Sequence, residues 1–112
     1  MNTITGWHAH IYYDPQATRS EAEAVRSGLA RSFPEALLGR WHDAPVGPHT
    51  AAMFQVAFAP ALFATLLPWL ALHRQGLPVL VHPETGRQRA DHVDHALWLG
   101  TMLPLKAEIL PE

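Results

Sequence analysis

The chain contains no cysteine. That excludes disulfides, zinc–thiolate sites and iron–sulfur clusters, and it fits a reducing compartment, so a cytoplasmic setting is expected. Lysine is almost missing. Lys106 is the single one, and the other cations are arginines. The formal net charge of -2 leaves no electrostatic case for nucleic acid. The opening stretch, Met1-Asn2-Thr3-Ile4-Thr5-Gly6, lacks a basic start and an apolar core, so it does not read as a signal peptide. No Gly-rich phosphate loop or nucleophile motif is visible. Formal charge is also missing from Ala51 to Leu72, an apolar stretch long enough to imitate a membrane span. Pro60 and Pro68 interrupt it and Gln55 sits inside it. It reads as a buried strand followed by a buried helix, and no membrane partner is expected.

What is present is 112 residues with eight histidines. That length suits one domain, 1–112, with a real core. With no thiols, any metal must be held by nitrogen and oxygen.

The pattern of apolar residues predicts the elements. Gly6 to Tyr13 alternates like a strand, stopped by Asp14-Pro15. Thr18 with Glu21, and Ser20 with Glu23, have capping-box spacing. The helix they open runs to about Phe33, with Ala22, Val25, Leu29 and Phe33 on one face. Ala36 to His42 reads as a second strand and Ala51 to Phe58 as a third. Pro60 opens a second helix with the stripe Leu62, Phe63, Leu66, Leu67 and Leu70. Pro68 is expected to kink it, and Gly76 to cap it. Leu77 to Val81 is the fourth strand. Pro83 to Asp91 reads as a polar loop, and Ala96 to Gly100 as a short fifth strand.

The order β-α-β-β-α-β implies an α+β fold, the ferredoxin-like sandwich, with an antiparallel sheet ordered 4-1-3-2 and a short C-terminal strand added. Both helices then cover one sheet face. Ala9 and Ile11 should point toward them. His8, His10 and Tyr12 should point to the other face, which a second subunit or the C-terminal segment would shield.

Two imidazoles about 7 Å apart along a strand can close on one metal ion. Antiparallel pairing of strands one and four brings His82 beside His8 and His10, so these three are the candidate ligands and a metalloenzyme is the first reading. The alternative to three histidines is two with a carboxylate, Glu84 or Asp91. His49, in the turn Gly47-Pro48-His49-Thr50, lies nearer Tyr12 than His8 by topology. An acid/base role suits it better than a ligand role. His92 and His95 sit at i, i+3 among acids, His92 being the stronger candidate. His42 and His73 read as structural. Tyr12 could stack on an aromatic substrate.

Several separated motifs carry a resemblance: His8-Ala9-His10-Ile11-Tyr12-Tyr13, Gly47-Pro48-His49, Met53-Phe54-Gln55-Val56, Leu80-Val81-His82-Pro83-Glu84-Thr85-Gly86, and Asp91-His92 through Trp98-Leu99-Gly100. Together, over about residues 6 to 105, they resemble the DOPA 4,5-dioxygenase family of fungi and bacteria. The resemblance implies extradiol ring opening of a catechol with dioxygen at a non-haem ferrous iron, in a small ferredoxin-like protein that forms a homodimer. Another divalent metal such as zinc can take the iron's place in a purified sample. His8, His10, His49, His82 and His92 are the family-like histidines. His49, His92 and Tyr12 are the expected catalytic residues. Thr50 stands where a proline is expected. Gly86-Arg87-Gln88-Arg89 replaces a more acidic run, and its arginines would favour an acidic substrate. The rival reading is a non-catalytic ferredoxin-like module that binds a metal or ligand.

Overall fold

The computed structural model describes residues 4–112; Met1–Thr3, part of the stretch read as no signal peptide, lie outside them. The chain builds β1 (Gly6–Tyr13), α1 (Arg19–Ser32), β2 (Leu37–Leu38), β3 (Ala52–Phe58), α2 (Phe63–His73), β4 (Val79–Glu84), α3 (Gln88–His92) and β5 (Leu97–Leu99). The antiparallel sheet is ordered β2-β3-β1-β4-β5. This is the expected 4-1-3-2 arrangement with β5 added beside β4.

Alternation divides the sheet residues between two faces. Ala9, Ile11 and Tyr13 of β1, Phe54 and Val56 of β3, and Val79 and Val81 of β4 pack with Val25 and Leu29 of α1 and Leu66 and Leu70 of α2. Tyr12, Met53 and Leu80 point the other way. They form a smaller cluster, with Ala96, Trp98, Leu103 and Leu105 packed against it. Of the two covers expected for that face, the chain's own 96–110 stretch supplies one.

The uncharged Ala51–Leu72 stretch is divided as read, into β3 and the 11-residue α2. No described helix is long and apolar enough to cross a membrane. Several boundaries differ from expectation. The second strand keeps only Leu37–Leu38, because Gly39 bends against β3, donating from its N–H to the Gln55 carbonyl at 2.7 Å. His42 then rejoins the sheet in an isolated bridge to Met53. Thr18 occupies the N-cap of α1 but makes no side-chain cap bond, since its hydroxyl accepts from the Asp14 N–H at 2.7 Å. Helix α2 continues through Pro68 after a Pro60–Leu62 3-10 turn. Strand β4 begins later and extends through Pro83 to Glu84. The stretch read as a polar loop contains α3.

Candidate metal centre

The pairing of the central strands determines the site. His8 of β1 lies directly opposite His82 of β4, and His10 lies opposite Gln55 of β3. All three histidines project from the sheet face away from α1 and α2. His10 is 3 % exposed and His82 is 1 % exposed. Two further imidazoles come from outside the sheet. His49 sits on the turn before β3, where Gly47 takes a left-handed φ of 56° that a side chain would disfavour. Segment 104–106 straps that turn: Lys106 donates its N–H to the Pro48 carbonyl at 2.8 Å, and the Thr50 hydroxyl donates to the Pro104 carbonyl at 2.7 Å. His92 ends α3. The buried Asp91 beside it holds that helix, accepting from the Thr85 N–H at 2.9 Å and from the Thr85 hydroxyl at 2.6 Å.

The result is one cluster of five imidazoles. Ring centroids lie 3.9 Å apart for His82 and His92, 4.2 Å for His10 and His49, and 5.1 Å for His8 and His82. Two sets present three mutually close nitrogens: His8, His10 and His82, and His10, His49 and His92. The three expected ligands therefore do come together. His49 does lie beside Tyr12, but it also touches His10, closer to the candidate ligands than topology alone indicated.

The second nitrogen of four rings is already engaged. His8 Nδ1 lies 2.8 Å from Glu84 Oε1. His82 Nδ1 donates to the Pro83 carbonyl at 3.0 Å, and His92 Nδ1 donates to the Gln88 carbonyl at 2.8 Å. His49 Nδ1 is 2.7 Å from the Tyr12 hydroxyl. Metal-binding histidines are commonly held this way, by a carboxylate or carbonyl on the nitrogen that does not bind. A carbonyl only accepts, so neutral His82 and His92 carry their protons on Nδ1 and offer lone pairs at Nε2.

His10 is the exception. Its Nε2 lies 3.1 Å from His82 Nε2, and its Nδ1 is buried without a partner. With the proton on Nδ1, a buried donor is orphaned and two lone pairs face each other. With the proton on Nε2, the orphan is an acceptor. Two nitrogens bound at right angles to one ion, each at about 2.1 Å, would be about 3.0 Å apart. The donor set therefore fits a divalent cation.

Electrostatics agree with that fit. Burial pushes His82 down to about 3 and His49 down to about 4, and holds His10 well below its ordinary value, with neighbouring imidazoles adding to the effect. Burial also lowers His8, with Glu84 opposing it. These rings stay neutral near pH 7, as metal ligation requires.

Neither expected carboxylate joins the close triads. Glu84 braces His8, and Asp91 is used by Thr85. His8, His10, His49 and His92 line a cleft of about 340 Å³ with Val46, Met53, Gln55, Gln88 and Leu110 among its other walls; His82 is not in that lining. The arginines read as favouring an acidic substrate are not in that lining. Arg89 is bonded to segment 107–112, and Arg87 lines a separate hollow with Asp94. Trp98 stacks on Tyr12 at 5.8 Å, so Tyr12 is packed into the small core below the cleft and is not available to stack on a substrate. His95 is in neither close triad. His73 accompanies α2, its Nδ1 bonded to the Trp69 carbonyl at 2.8 Å.

Leu110 and Gln88 escaped sequence reasoning as cleft residues. Gln88-Arg89-Ala90-Asp91 is a good helix-forming run after Gly86, which was the available signal for α3.

Comparison with known proteins gives the family. The sequence model described as the Dopa 4,5-dioxygenase family matches residues 7–109. An uncharacterized 21.2 kDa protein of Botryotinia fuckeliana is 36% identical over 112 residues, covering 90% of this chain and 61% of that protein. A DOPA 4,5-dioxygenase of Amanita muscaria is 30% identical over 115 residues, covering 96% of this chain and 50% of that protein. The chain thus spans between half and about three fifths of these curated relatives. A crystal structure of a Nostoc punctiforme protein, provisionally classed as a dioxygenase, superposes with a TM-score of 0.92 at 51% identity, over 96% of this chain and 91% of that one.

Proposed function

The chain belongs to the Dopa 4,5-dioxygenase family, and on that premise we propose that it is an extradiol dioxygenase opening a catechol ring at a ferrous ion held by His8, His10 and His82. The observation that carries this reading is the histidine cluster itself, with its braced Nδ1 atoms and the facing Nε2 atoms of His10 and His82. A ferrous ion there would bind a catechol through both oxygens and bring it together with dioxygen.

The chain's own residues do the rest. Tyr12 is buried, and burial holds its phenol well above the usual value, so it remains an O–H donor. Phenol is the stronger acid of the pair and donates to His49 Nδ1. Neutral His49 then carries its proton on Nε2 and gives a hydrogen bond that stabilises charge developing on substrate oxygen. His92, braced by Gln88, keeps an Nε2 lone pair and serves as the proton acceptor. Val46, Met53 and Leu110 give the cleft an apolar side that limits water.

The test is anaerobic reconstitution with ferrous iron, addition of a catechol, then oxygen. The expected result is uptake of one dioxygen per catechol and a product heavier by both oxygen atoms. A protein that binds iron and catechol but consumes no oxygen is instead the non-catalytic binding module. Assembly as a homodimer is part of the same proposal, with light scattering at micromolar concentration as its check.

A further inference from the structure

Leu110 belongs to the last stretch of the chain, yet it is buried and faces the histidine cleft. One residue, Arg89, fastens it there through side chain and main chain. Arg89 donates from Nη2 to the Leu110 carbonyl at 2.8 Å and to the Glu108 carbonyl at 3.1 Å. Its Nε points at the carbonyls of Ala107 and Leu110, each at 3.2 Å. Its Nη1 meets Glu112 at 3.0 Å, and its main-chain N–H donates to the Pro111 carbonyl at 3.1 Å. All three guanidinium nitrogens thus bind one six-residue segment. A planar fork with five donors is suited to this and an ammonium is not. Arg89 lies on α3, between the cleft residue Gln88 and the cluster histidine His92, so the clasp and the site share one rigid piece.

We propose that Leu110 sets the size of the ring substituent the cleft accepts, with Arg89 as the positioning residue that holds it. The substrate is then a catechol with a compact apolar substituent, an assignment that rests on the catechol reading above. The cleft is at the small end of ligand sites; Leu110 shares it with the apolar Val46 and Met53 and with the polar Gln55 and Gln88, and Glu84 in the same lining opposes a carboxylate. Removing part of a wall side chain changes discrimination by about 10- to 200-fold per methylene-scale mismatch.

The experiment titrates 4-methylcatechol, 4-tert-butylcatechol and 3,4-dihydroxybenzoate into zinc-loaded protein, where zinc has no redox chemistry and affinity alone is read. The intact protein should prefer 4-methylcatechol over both others by about tenfold or more. Leu110→Ala should bring the methyl and tert-butyl affinities close together, while Leu110→Met keeps them apart. Arg89→Met should collapse the discrimination even though Leu110 is intact, and amides 107–110 should exchange faster. Leu110→Val serves in place of Leu110→Ala should the latter fail to fold. An unchanged methyl-to-tert-butyl ratio in the shortened variant overturns the wall. Tightest binding of 3,4-dihydroxybenzoate overturns the apolar substituent. Size discrimination without oxygen uptake by the iron-loaded protein removes the dioxygenase reading and leaves the wall. Oxygen uptake with an unchanged ratio in Leu110→Ala does the reverse. Failure to bind any catechol removes both.

Discussion

His10 and His82 face each other Nε2 to Nε2 at 3.1 Å, and the proton of neutral His82 is already committed to the Pro83 carbonyl through Nδ1. The pair has two arrangements: a proton on His10 Nε2 bridging to the His82 lone pair, or both Nε2 lone pairs converging on a cation.

His10→Ala and His82→Ala should each abolish stable metal uptake, read by metal analysis after dialysis. The metal-free fold should survive. In His10→Ala a small cavity is created, but an orphaned buried nitrogen is removed, and the two effects oppose each other. Circular dichroism should be retained, with a stability change of about 2 kcal/mol or less. Full metal content in either variant would refute the ligand assignment.

His49→Ala should keep iron and lose turnover by about 10² to 10⁴. Tyr12→Phe removes the donor that places the His49 proton on Nε2, and should lower turnover without releasing iron. If His49→Ala loses iron as His10→Ala does, then His49 belongs to the coordinating set, which its contact with His10 permits.

Acid should destabilise the metal-free protein within a defined window. The unfolded histidines take up protons near 6.5, whereas folded His49 does so only at about 4 and folded His82 at about 3. The unfolded state therefore holds more protons between those limits, and stability rises with pH there. Stability is full above about 6.5, falls as the pH drops toward 4, and continues to fall toward 3. Denaturant midpoints measured from pH 7 to 3 should follow this course. His49→Gln should flatten the upper part of it.

The strand alternation made much of this legible. Trp7-His8-Ala9-His10-Ile11-Tyr12 states which residues share a face, and right-handed crossovers bring His82 to that face. The position of His49 was only half legible. Its neighbour Tyr12 follows from topology, but its contact with His10 depends on segment 104–106 strapping the 47–50 turn. Helix α3 is five residues long, too short to display a period, so its residues looked like a polar loop. The partners of Arg89 are 18 to 23 residues away, and main-chain carbonyls leave no mark in a sequence.

Asp91→Ala should cost about 1 to 3 kcal/mol, because the Thr85 N–H and hydroxyl lose their acceptor in a part-buried position. The same change should loosen α3 and reduce turnover through His92 while iron remains bound. Asp91→Asn, which keeps one acceptor oxygen, should fall between. Chemical denaturation and iron content, measured on the same samples, check both statements.

The sheet also acts as a partition. Ala9 and Ile11 belong to one compartment and His8 and His10 to the other, although they are consecutive in the chain. Repacking the helical compartment at Val25, Leu29, Leu66 and Leu70 is thus a separate task from altering the chemistry. A library confined to the helical compartment can be selected for heat resistance with the catalytic compartment left untouched.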